Sequence, residues 1–166
     1  MANEKNQDVE KLVEMVKDIK VCMLITNDTT NEGNLSGRPM GINTIDADGT
    51  MWFFTKKSSL KVDELKADKK VSIAIISETA HVYLMINGTA SLVYDKSKMA
   101  DLWNPTMDVW FPEGVKDSDI VLIKMMPQEV NYWSNNAPTT MVMFGKLPVY
   151  VAGEKKPEGE HGTIVL

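Results

Sequence analysis

The chain has 166 residues, 43% of them hydrophobic and 25% charged, the make-up of one soluble domain large enough to fold without metal or disulfides. Cys22 is the single cysteine, so a disulfide scaffold is excluded and a free thiol in a reducing compartment is expected. With 18 basic against 23 acidic residues and a net charge of -5, the chain lacks the basic face a duplex nucleic-acid binder needs.

The N-terminal MANEKNQDVEKLVEMVKDIK carries charges throughout, unlike a signal or an anchor, and no window approaches the roughly 18 apolar residues of a membrane span. A cytoplasmic protein is expected. In that same segment Val9, Leu12, Val13, Val16 and Ile19 recur at helical spacing, with Asp8 as candidate cap. VCMLITN reads as a strand, DTTNEGNLSG as a loop, and RPMGINTIDADGTMWFFT as a hairpin turning at Asp48-Gly49. Ser58 or Ser59 opens a helix, SSLKVDELKAD, with Leu60 and Leu65 as its apolar side and Asp63 and Glu64 in its N-terminal half.

VSIAII is a further strand. HVYLMINGTASLVYD is either two strands around an Asn-Gly turn or, as favoured here, one strand bent by a bulge at Gly88. KSKMADLW reads as a short helix, with Trp103 facing the core, and PTMDVWFPEG as irregular. DIVLIKMMPQEVNYWSN is a long strand interrupted near Pro127, and TTMVMFGKLPVYVA a last hairpin or edge. GEKKPEGEHG suits a solvated tail before the apolar TIVL, which docks or frays. Some six strands with few crossover helices favour a small antiparallel barrel over a doubly wound sheet.

Side-chain catalysis has little to work with. His81 and His161 are the only histidines, too few for a triad or a closed zinc site. Cys22 lies in an apolar strand and reads as a buried small hydrophobe. Any chemistry therefore falls to a cofactor.

The most informative stretch is WFFTKKSSLKVDEL, which runs strand, turn, helix. Hydroxyls of Thr55, Ser58 and Ser59 and the ammonium groups of Lys56, Lys57 and Lys61 gather where a helix begins, and a helix start attracts anions. Cations there oppose the macrodipole unless an anion sits among them, so a phosphate site and a merely capped, solvated turn are both open. Arg38, the one arginine beside seventeen lysines, stands at a strand entry near Phe54 and suits planar, bidentate recognition. Trp110 and Trp133 fall at element ends, where exposed aromatics meet ligands or partners.

LSGRPMGIN, MWFFTKKSSLKVDEL, VSIAI, VYLMINGTASLV and DIVLIKMMPQEVNYWSN, in that order, resemble the flavin-binding split-barrel superfamily that includes pyridoxamine phosphate oxidase, and most of all its general-stress-protein-like branch. The resemblance covers about residues 9–134. It implies a mainly β, α+β fold: a six-stranded antiparallel Greek-key split barrel with flanking helices, spanning residues 1–152, followed by a C-terminal tail over 153–166. It also implies a homodimer with flavin mononucleotide (FMN) at the interface. By the same resemblance Phe54, Thr55, Ser59 and Lys61 form the phosphate-gripping turn, Arg38, Pro39 and Met40 run with Gly41 along the flavin ring, and Trp110 and Trp133 border the groove. Position 60 is Leu where the oxidases carry a second basic residue, so Lys56 or Lys57 substitutes. NNAPTTMVMFG offers no match to the Arg/His cluster that holds a pyridoxal-type substrate, which argues against pyridoxamine phosphate oxidation. The implied function is an FMN-dependent oxidoreductase of unknown substrate with a small-molecule electron donor, or a flavin-binding stress module without turnover. Haem and deazaflavin, used elsewhere in the superfamily, are the other cofactors implied.

Overall fold

The computed structural model describes residues 2–135, 142–144, 147–149 and 159–166. Among them the chain forms α1 (Ala2–Val16), β1 (Val21–Asn27), β2 (Leu35–Gly41), β3 (Thr44–Ile45), β4 (Met51–Lys56), α2 (Leu60–Ala67), β5 (Lys70–Ser77), β6 (Val82–Val93), α3 (Lys96–Leu102), β7 (Ile120–Asn135), β8 (Val142–Phe144), β9 (Leu147–Val149) and β10 (Gly159–Val165). Two 3-10 turns, Pro105–Val109 and Gly114–Lys116, occupy the stretch read as irregular.

The strand order is β2-β1-β5-β6-β7-β4-β3, with β10 paired to β7, and each of these pairings is antiparallel. β2 and β3 end that order on opposite sides, yet only Ile42 and Asn43 separate them in sequence. The sheet therefore has to curl until its edges meet. The Ile42 N–H donates to the Lys20 carbonyl at 2.8 Å on the β1 side, and the Asn43 N–H to the Trp52 carbonyl at 2.9 Å on the β4 side. The result is a curled, half-barrel antiparallel sheet with helices against it, the mainly β split-barrel architecture expected. The strand count is corrected from six to eight. The hairpin arm before Asp48-Gly49 breaks into β2 and β3 where the chain changes edges, and Gly159–Val165 joins β7 as an added strand. β8 and β9 pair separately.

Alternation sets what each strand buries. Cys22, Leu24 and Thr26 of β1, Ile73 and Ile75 of β5, Leu84 and Ile86 of β6, and Met51 and Phe53 of β4 are buried, and Leu12 and Val16 of α1 complete this core. Burial pushes the Cys22 thiol up to about 12, leaving it inert as a nucleophile. Trp52 and Phe54, the alternate residues of β4, enter a second cluster with Met99, Phe111, Ile120 and Leu122, against which Trp103 packs. α1 starts at Ala2, so Asp8 lies within the helix and does not cap it. α2 buries Val62, Glu64 and Leu65, whereas Leu60 is half exposed; position 60 opens the helix outside the Val62–Leu65 stripe. Ile164 is buried, so the terminal apolar tetrad docks.

β6 is the single bent strand favoured from sequence. Its pairing with β7 slips between Asn87 and Gly88, which face Glu129 and Pro127 and leave Gln128 as the extra residue. β7 is continuous through Pro127, contrary to the expected interruption. At that point it exchanges one partner, β4, for another, β10, so a residue without an N–H is tolerated. A Cβ at Gly88 would lie 2.1 Å from the Met126 carbonyl oxygen. Gly88→Ala should lower stability by about 2 to 4 kcal/mol, while Gly37→Ala, whose Cβ meets only ordinary contacts at 3.7 Å or more, should change it by less than about 1 kcal/mol. Urea midpoints of the two variants check this, and equal midpoints would contradict the bulge geometry.

Candidate anion site at the start of helix α2

β4 and α2 are joined by a turn of three residues, Lys57, Ser58 and Ser59. One side of it is satisfied by protein. The Asp119 carboxylate accepts from the Ser58 N–H at 3.1 Å and the Ser58 hydroxyl at 2.7 Å, and the Lys57 N–H donates to the Asp119 carbonyl at 2.6 Å. The Ser58 hydroxyl bond holds the Asp119 carboxyl below its usual range, helped by Lys56 and Lys57. The Lys57 ammonium lies 5.5 Å from the centre of the Tyr94 ring, and Lys56 is exposed.

The other side is organised differently. The Ser59 hydroxyl donates back to the Lys56 carbonyl at 2.7 Å and sits 3.3 Å from the Thr55 hydroxyl. Ser59 is the N-cap residue, but its side chain caps no N–H of α2. The Lys61 ammonium donates to the Thr55 hydroxyl at 3.1 Å, and among the described residues it has no carboxylate within ion-pair distance. Burial and then the nearby Arg38 guanidinium push its pKa below the ordinary 10.5, with Glu64 a lesser, opposing influence. A half-buried lysine bonded to a neutral hydroxyl beside an arginine is a place where an anion is stabilised.

Arg38 points to the inner face of β2. Its guanidinium donates to Glu64 Oε2 at 2.6 Å, to the Ser36 hydroxyl at 2.6 Å and to the Thr26 hydroxyl. Thr26 in turn donates to Glu64 Oε2 at 2.7 Å. The Glu64 side chain is 0% exposed, and its Oε1 is buried without a hydrogen-bond partner among the described residues. Sequence reasoning read Glu64 only as a helix charge. Its burial depends on how α2 packs against β1 and β2, which no local spacing announces.

The structure thus brings Arg38, Thr55, Ser59 and Lys61 together. Phe54 lies beneath the strand, edge-on to Trp103 at 5.4 Å and near Phe111 at 6.2 Å. Met40 is in the core, while Pro39 is exposed on the outer face. Trp110 (72% exposed) ends the first 3-10 turn, and Trp133 (52% exposed) stands on the outer face of β7 between Tyr83 and His161. No hydrogen bond or ring contact joins either tryptophan to the cluster among the described residues. A groove of about 330 Å³, lined by Ile25, Thr26, Asn27, Lys70, Ser72 and Asn87 among others, contains none of the residues expected in the site but shares Thr26 with the Arg38–Glu64 pair. The outer face of β1, β2, β5 and β6 exposes Val21, Met23, Leu35, Ile76 and Met85. No helix among the described residues is long and apolar enough to cross a membrane.

The family model described as "Pyridoxamine 5'-phosphate oxidase like" matches residues 7–158. A curated relative, protein bli-3 of Neurospora crassa, is 29% identical over 116 residues, 68% of this chain and 55% of its own, so the chain spans about half that relative's length. A putative general stress protein 26 from Jannaschia sp. CCS1 superposes with a TM-score of 0.70 at 20% identity, covering 100% of this chain and 99% of that one. A heme binding protein from Mycobacterium smegmatis gives 0.58 at 16% identity over 75% of this chain and 53% of its own. These structural likenesses show the shared fold.

The buried Arg38–Glu64 pair generates a stability test. Arg38→Met leaves the Glu64 carboxylate buried and unpaired and should cost about 3 to 5 kcal/mol, whereas Arg38→Met with Glu64→Leu should recover most of that loss. Chemical denaturation of both variants checks it; a single variant as stable as the parent would contradict the pairing.

Proposed function

Because the chain belongs to the pyridoxamine 5'-phosphate oxidase-like family, we propose that it binds FMN between two copies of itself and acts as a flavin-dependent oxidoreductase on a small molecule. The observation that carries this reading is the half-buried Lys61, without a carboxylate partner among the described residues, beside Thr55, Ser59 and Arg38. An ammonium, a helix start without a side-chain cap and two hydroxyls that can rotate from their protein partners toward a ligand are a donor set that fits a phosphate monoester.

In this reading Thr55, Ser59 and Lys61 hold the phosphate and Arg38 adds N–H donors and orientation. The backbone of Pro39, Met40 and Gly41 would run along the ring, with Trp110 and Trp133 bordering it. Phe54 packs beneath and fixes the strand that carries Thr55. The flavin, when bound, supplies hydride or electron transfer; the chain binds it, orients it and excludes water. The exposed apolar side chains on the outer face of β1, β2, β5 and β6 support pairing of two copies there. A reducing cytoplasm suits the unpaired thiol of Cys22.

The other reading within this family is a flavin-holding module without turnover. Reduction of bound flavin by a nicotinamide donor and reoxidation by an added acceptor separates enzyme from module, and the visible spectrum of the purified protein separates flavin from haem.

Lys61→Ala should weaken FMN binding by about tenfold to a hundredfold, the size of a lost charge-assisted hydrogen bond. With Lys61 intact, FMN affinity should fall as rising pH deprotonates this lysine, below the pH at which an ordinary lysine titrates. Fluorescence titration across pH measures both. Unchanged affinity in Lys61→Ala would remove the phosphate assignment.

A further inference from the structure

We propose that Glu64 is a specificity-determining residue of this anion site: its buried carboxylate orients Arg38 and cancels its charge, so the site offers a phosphate the single net positive charge of Lys61. The inference rests on the FMN reading above and deepens it. Nothing in the sequence pattern of the turn assigns Glu64 to ligand binding.

The geometry carries the argument. Arg38 has five N–H donors, and three of them are spent on Glu64, Ser36 and Thr26. Glu64 Oε2 receives two bonds, from Arg38 and Thr26, and both partners lie on the strands that flank the site, β2 and β1. The Arg38 side chain is 18% exposed and that of Glu64 wholly buried, so solvent screens this pair less than a surface pair. Arg38 keeps two unspent donors for a ligand while its full charge is matched. Without Glu64, two cations would face the phosphate, and any small anion would be drawn in.

The bonding pattern also supplies a clean variant. Among the described residues only Oε2 accepts hydrogen bonds, and Oε1 has no partner. In Glu64→Gln the amide oxygen can take the Oε2 place and accept the same two bonds, so the hydrogen bonds from Arg38 and Thr26 are kept while the charge is removed.

The measured quantity is the ratio of FMN to riboflavin affinity, because riboflavin has the same ring and no phosphate. In Glu64→Gln the ratio should rise by roughly tenfold at low ionic strength, as expected for one extra unit charge several ångströms from a phosphate, and the gain should shrink in high salt. Riboflavin affinity should stay put. A second readout needs no flavin: the Lys61 ammonium, followed by nitrogen NMR, should titrate at lower pH in Glu64→Gln than in the parent. A third uses the parent protein alone, whose FMN binding should weaken with salt only as steeply as one net positive charge requires.

An unchanged or narrowed ratio, a parallel loss of FMN and riboflavin binding, or an unmoved Lys61 titration would each overturn the proposal. A parent salt dependence requiring two charges would do the same if the variant fails to fold. If the parent ignores FMN while the Lys61 titration moves as expected, the flavin reading fails and the charge compensation by Glu64 stands.

Discussion

The ion pair between Arg38 and Glu64 ties together three elements beside the site. Arg38 comes from β2, Glu64 from α2, and Thr26 of β1 bridges them with its hydroxyl. A buried pair of this kind adds little stability over an apolar replacement, but it is costly to break on one side. Its main effect is on position: it fixes α2 against β2. The start of α2 carries Ser59 and Lys61 to within hydrogen-bonding reach of Thr55 at the end of β4.

The curl of the sheet makes this meeting possible. β2 and β4 are five places apart in the strand order, and they approach because Ile42 and Asn43 carry the chain from one edge of the sheet to the other. β7 provides the common wall, pairing with β6 along its length and exchanging β4 for β10 at Pro127. Asp119, just before β7, takes up the donors of Lys57 and Ser58. The turn therefore has a side closed by protein and a side left to Lys61.

Much of the architecture was legible in the chain because alternation and turn chemistry act locally. Asp48-Gly49 marks a turn, with Gly49 at a φ of +84°, and Asn87-Gly88 marks the bulge. Thr55, Ser59 and Lys61 follow one short strand-turn-helix stretch, so their grouping was readable from spacing. Long-range partners were not. Asp119 is sixty-one residues from Ser58, and no local pattern announces that it competes for the turn's donors. Glu64 looked like an ordinary charge near a helix start, because burial beside Arg38 depends on how β2 and α2 pack. Leu60 misled for the related reason that its apolar character was judged without knowing which helix face meets the barrel. β10 was hidden because the composition of GEKKPEGEHG is polar, while its pairing with β7 is made by backbone.

A crystal structure of the protein grown with FMN is the most direct measurement of the central claim. The account predicts the phosphate between the Lys61 ammonium and the Ser59 and Thr55 hydroxyls, with the Arg38–Glu64 pair intact behind it. A phosphate bound elsewhere, such as in the groove lined by Ser72 and Asn87, or an Arg38 swung away from Glu64 to reach it, would contradict the account.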